Sequence, residues 1–137
     1  MRERSFVASR PSVRTLTAAI DVVMLTPRDR TLAVLLLRAA DPRSRDRWLL
    51  PWDAPRPDEP PDQAALRVSR SVLGVAPAAL EQIAAFGEGR RHPGEAQLSV
   101  SFVGLVPQGS AQANDLAVWT DIDQLPLLAP RHRAWGR

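Results

Sequence analysis

Apolar and β-branched residues gather in short blocks, separated by polar and proline-rich stretches. From Val13 to Leu25 the chain is aliphatic almost throughout, with Ile20, Val22, Val23 and Met24 in close succession. That pattern predicts a buried strand, and Thr26-Pro27-Arg28-Asp29 reads as the turn that ends it. Thr31 to Arg38 predicts a second buried strand, so the two form a hairpin or at least lie side by side. Trp48-Leu49-Leu50-Pro51 is a short apolar segment. The stretch from Trp52 to Pro61 then holds Pro55, Pro57, Pro60 and Pro61, which excludes regular helix and central strand. Asp62 to Leu73 predicts a helix: Ala65, Val68, Ser69 and Val72 recur at helical spacing, Pro60 and Pro61 suit its entry, and Gly74 suits its C-terminal cap.

Beyond the helix, Leu80–Phe86, Leu98–Val106 and Leu116–Trp119 read as strands. Gly87–Ala96 and Gln108–Asn114 read as loops, and Asp121–Leu125 as a helical turn. Strands dominate around one clear helix, without internal repeats, so the fold class is α+β or mixed α/β. Residues 1–12, polar and arginine-rich, read as a flexible lead, and residues 13–137 as one domain.

Composition narrows the class. A chain of 137 residues with 45% hydrophobic content suits a single packed domain. No apolar run nears the about 20 residues that span a bilayer, and the charged N-terminus lacks the apolar core of a signal peptide. With no cysteine there are no disulfides and no thiolate metal ligands, which fits a cytoplasmic protein. The net charge is +3 and every strong base is arginine. These arginines are scattered rather than gathered into a stripe, and no helix-turn-helix pattern is visible, so DNA binding by this chain alone is not expected.

The order strand, strand, Trp-Leu-Leu-Pro, loop, Glu, helix with Arg and a closing Gly-aliphatic pair resembles a Nudix domain. The box of that family is G-x5-E-x7-R-E-U-x-E-E-x-G-U, with U aliphatic. Here it falls on Asp53 to Val75 without a gap. Glu59, Arg67, Gly74 and Val75 match. Asp53 stands at the first Gly, Val68 at the first helix Glu, Ser69 at the aliphatic, and Ser71 and Val72 at the Glu-Glu pair. The flanks are similar to one subgroup, the Nudix domains of NAD-metabolism transcriptional regulators and related ADP-ribose-type hydrolases. They include Leu80-Glu81-Gln82, Phe86-Gly87, Arg91, Pro93, Leu105-Val106-Pro107 and the tail Trp119, Leu125-Pro126, Leu128-Ala129 and His132-Arg133. The resemblance implies a mixed sheet sandwiched between helices, and commonly a homodimer, to which Trp135 could contribute. The prolines and the absence of the family's Gly-Gly turn imply a different path for the loop before the helix.

Nudix chemistry splits a diphosphate with water activated by Mg2+ or Mn2+, hard cations that need several oxygen ligands. The family's carboxylates share one helix face. Here that face bears Val68, Ser71 and Val72, and one hydroxyl with two isopropyl groups cannot replace three negative charges. No metal site and no catalytic residue is assigned, and Glu59 and Arg67 are remnants of the box. Arg67, without acidic neighbours and near Arg70, is expected in a positive patch. A rewired cluster of Asp53, Asp58, Glu59 and Asp62 is the alternative, weighed against simple exposed acids on a proline-rich loop.

Candidate ligand contacts are Arg38 at the end of the second strand, Arg90 and Arg91 as phosphate-binding forks, and Trp48 and Phe86 as stacking or core aromatics. Arg91 matches the subgroup's motif. His92 is a lone loop histidine read as neither ligand nor catalyst, and His132 is read as structural. Three functions remain: a catalytically impaired domain that binds or senses an ADP-ribose-like nucleotide diphosphate, an active atypical Nudix hydrolase, or an interaction module without a small ligand. No cofactor is expected, and Mg2+ only for the hydrolase.

Overall fold

A computed structural model describes residues 16–38, 48–87, 92, 95–109, 117–126 and 128. The expected lead at 1–12 lies outside them. Seven strands and one α-helix are present among these residues: β1 (Ala18–Arg28), β2 (Thr31–Arg38), β3 (Trp48–Leu49), β4 (Trp52–Asp53), α1 (Pro61–Leu73), β5 (Ala79–Phe86), β6 (Leu98–Leu105) and β7 (Ala117–Asp121). A 3-10 turn over Ile122–Gln124 occupies the expected helical turn.

The sheet is mixed, with strand order β3-β2-β1-β6-β5, while β4 pairs with β1 and β7 with β2. The β1–β6 pair is parallel, from Ala18↔Leu98 to Leu25↔Leu105, and the other strand pairs among the described residues are antiparallel. The hairpin is confirmed, but its turn lies further along than the Pro27 signal suggests. Pairing runs to Arg28↔Thr31, which leaves Asp29 and Arg30 to reverse the chain. Asp29 takes φ 55, a left-handed geometry that Asp tolerates and that tight hairpin turns use. Trp52 and Asp53, ahead of the first of the four prolines, also depart from expectation. They pair with β1 as Asp21↔Trp52 and Ile20↔Asp53.

β1 is apolar almost throughout because both of its faces are covered. Ile20, Val22 and Met24 pack with Ala64, Ala65, Val68 and Leu73 of α1. On the opposite face Val23 joins Val34, Leu36, Leu50 and Leu128. Alternation along the strand assigns Asp21 to this second face, away from the helix.

Proline stands at the first position of α1, where a missing N–H costs nothing. Gly74 ends the helix at φ 77 and donates its N–H to the Arg70 carbonyl, 2.8 Å away. Ser69 is fully buried, and its hydroxyl is satisfied by the Ala65 carbonyl at 2.8 Å.

Candidate functional site

Arg67 is the hub of the segment that leads into α1. Its Nε donates to Glu59 Oε2 at 2.9 Å and its Nη2 to Glu59 Oε1 at 2.8 Å, a bidentate fork. Nη1 donates to Asp53 Oδ2 at 2.6 Å, and Nη2 also reaches the Ala54 carbonyl at 3.0 Å. Glu59 returns a contact to its own loop, accepting the Arg56 N–H at 2.9 Å. Hydrogen bonding from Arg67, then from the Arg56 backbone, holds the Glu59 carboxyl at about 2, below its ordinary 4.5. Glu59 and then Asp53 push the guanidinium further toward its charged form. Arg67 is therefore not the unpaired charge of a positive patch, because two carboxylates neutralise it. Asp53, at a position where the family box has glycine, is one of them.

Register explains how Asp53 reaches the helix. Paired residues share a face of the sheet, and Ile20, the partner of Asp53, faces α1. Trp52 pairs with Asp21 and so faces the other way. On that face lies an arrangement that sequence reasoning missed. His92 Nε2 is 2.7 Å from Asp21 Oδ1, with both side chains fully buried. The Trp52 and His92 rings meet edge to face with centroids 4.6 Å apart. Ser101, the parallel partner of Asp21, brings a third buried polar side chain to the same face. His92 is thus a structural partner of Asp21, with no sign of acting as a lone loop residue.

The other candidates divide. Arg38 and Trp48 are brought together across the β2–β3 pair, the guanidinium carbon lying 5.0 Å from the centre of the indole. Arg38 is exposed and Trp48 half-buried, so the pair presents a cation on an aromatic plate at the end of β2. Phe86 ends β5 opposite Ser99 and is half-buried. Arg90, Arg91, His132 and Trp135 lie outside the described residues.

The sequence from 15 to 137 matches the NUDIX domain family. The chain belongs to the Nudix family. Solved structures agree with that. The Nudix domain of Shewanella oneidensis NrtR, crystallised with ADP ribose, matches at a TM-score of 0.75 with 23% identity, over 99% of this chain and 95% of that one. Shewanella oneidensis NrtR gives 0.75 at 25% identity over 86% of this chain, and the match spans only 58% of the NrtR chain. A mutT/nudix family protein from Listeria innocua gives 0.73 at 21% identity, covering 89% of this chain and 90% of its own. No protein of curated function matches the sequence significantly. No helix of the described residues is long and apolar enough to cross a membrane.

Within the Nudix frame, two of the three helix positions where the family carries metal carboxylates pack against the core. Val68 is 3% exposed and belongs to the core shared with β1. Val72 packs against the same core. The exposed Ser71 turns its hydroxyl back to the Val68 carbonyl at 2.7 Å. Of the four acids in the alternative cluster, Asp53 and Glu59 are committed to Arg67, while Asp58 and Asp62 are exposed. Among the described residues no three His, Asp or Glu side chains are grouped to hold a cation. This donor set does not fit a magnesium ion, whose ligands must be several free oxygens.

Proposed function

We propose that this Nudix domain binds a nucleotide diphosphate of the ADP-ribose type and works as a sensor rather than as a hydrolase. The burial of Val68 carries the second half of that reading: the helix position where metal chemistry needs a carboxylate is part of the hydrophobic core. The first half is supported by the likeness to the NrtR Nudix domain crystallised with ADP ribose, which extends over nearly the whole of both chains. Arg38 stacked on Trp48 offers matching chemistry, a cation for phosphate beside an aromatic surface for a base. No cofactor takes part in this reading. Calorimetric titration with ADP-ribose should give saturable binding without added metal. Incubation with Mg2+ or Mn2+ should release no AMP above a metal-free control. Turnover would overturn the sensor assignment, and an absence of binding heat for ADP-ribose and related dinucleotides would remove the ligand.

The same reading takes the domain as a homodimer that does not bind DNA by itself. The outer strand β5, with exposed Ile83 at the irregularity in its pairing with β6, offers apolar surface for a second copy. Light scattering at micromolar concentration should give twice the monomer mass, and a monomer would remove this part.

A further inference from the structure

We propose that His92 is a positioning residue for the Nudix box, acting across the sheet through β4. The strand has two residues, and each is held on a different face. Trp52 points to the side away from α1, where its ring meets the His92 imidazole at 4.6 Å, and His92 is itself fixed by Asp21 at 2.7 Å. Asp53 points to the helix side, where it accepts from Arg67 at 2.6 Å. Two residues paired with β1 only at Ile20 and Asp21 make little hydrogen-bonded strand of their own. Their placement depends on these two side-chain clamps and on the Val22 N–H, which donates to the Pro51 carbonyl at 2.9 Å.

The buried Asp21 carboxylate makes the clamp directional. A carboxyl at 1% exposure has to be hydrogen-bonded, and the 2.7 Å contact with the ring nitrogen helps to meet that need, so moving the ring away carries a cost. The imidazole edge is thereby held against Trp52, and Trp52 sets where Asp53 leaves the sheet. The Arg67 hub is therefore fixed from the core on one side of the sheet as well as from Glu59 on the other. His92 directly follows Arg90 and Arg91 in sequence, so the residue that steadies the box also ends the segment bearing two candidate phosphate contacts. None of these contacts involves a ligand, so the clamp is the same whichever one the domain takes.

Hydrogen exchange in the full chain tests it without a ligand. The reporters are the amides of Val22, Ala54, Arg56 and Glu59, each bonded to or within the 51–59 segment. In His92→Leu these amides should exchange about tenfold faster, the loss expected for one buried hydrogen bond, while amides of the β2–β7 pair stay as in wild type. His92→Gln, which keeps a donor for Asp21, should recover most of the protection. A residue that merely filled space would give the opposite order, with Leu tolerated better than Gln. In the reverse direction, Asp53→Ala should speed exchange at Val22, whose amide bonds the Pro51 carbonyl just ahead of β4. Equal effects of Leu and Gln, a uniform rise across the sheet, or no change at Val22 and Ala54 would overturn the proposal. Should His92→Leu fail to fold, Asp21→Asn takes its place: local release at 51–59 supports the proposal, and a uniform change or none overturns it.

Discussion

Returning a glutamate to position 68 would place a carboxyl in the core. Val68 is 3% exposed among Ile20, Val22, Ala64, Ala65 and Leu73. A buried acid escapes the full cost of ionisation by taking up a proton. Holding a carboxyl of ordinary pKa about 4.3 neutral at pH 7 costs about 2.7 pKa steps, or roughly 3.7 kcal/mol. Losing the burial of the valine adds about 1–2 kcal/mol. Val68→Glu should therefore destabilise by about 5–6 kcal/mol at pH 7, a large share of the 5–15 kcal/mol typical of a domain. The sign with pH follows from a folded-state pKa raised above the unfolded one. The ionisation penalty is absent below about pH 4.3 and grows as pH rises above it, so near pH 4 only about 1–2 kcal/mol should remain. The same change at half-buried Val72 should cost less, and at exposed Ser71 almost nothing. Urea unfolding at pH 7 and pH 4 measures all three. Wild-type stability for Val68→Glu at pH 7, or tight Mn2+ binding by that variant, would show that this face is open to solvent and would refute the reasoning.

Other expectations concern the hub and the helix cap. Glu59 is held at about 2 against an ordinary 4.5, so its contribution is complete above pH 4.5 and is lost as pH falls from there toward 2. Glu59→Gln should flatten stability over that acid window, as read from urea midpoints. Arg67→Lys keeps the charge but cannot make the fork to Glu59 while also reaching Asp53 and the Ala54 carbonyl. It should cost on the order of 1 kcal/mol by the same assay, the site being partly solvated. Gly74→Ala meets no atom within 4 Å, yet φ is +77, so backbone strain alone should lower stability by about 1–2 kcal/mol, seen as a fall in Tm.

Local signals carried the scaffold well. β2 begins and ends where its apolar block does, at Thr31 and Arg38, and Pro61 and Gly74 bracket α1 because each residue's backbone preference marks one helix end. The hairpin turn moved because pairing between β1 and β2 outlasts the proline signal at Pro27. The Asp21–His92 pair was not legible in the same way, since its members stand 71 positions apart. One clue existed, however. Asp21 sits inside a strand whose apolar run announces burial on both faces, and a buried carboxylate demands a partner. Asp53 was hidden for a related reason: read against the family box it is a missing glycine, and only the register with Ile20 turns it toward Arg67.

The parts of the box that remain are those that hold the chain in shape. Glu59 and Arg67 tie the proline-rich approach to the helix, and Gly74 closes the helix in a left-handed turn that other residues resist. Positions 68, 71 and 72 have no such mechanical duty. A carboxylate there serves a cation, and once valine stands at 68 and 72 the same surface joins the core beside Ile20 and Val22. The two sets are separable because they sit on different sides of α1. Arg67 reaches back along the loop, whereas Val68 and Val72 face the sheet. The helix is therefore anchored by its arginine whether or not positions 68, 71 and 72 carry acids. That separation is why the family can be recognised from this sequence although positions 68, 71 and 72 carry no acid.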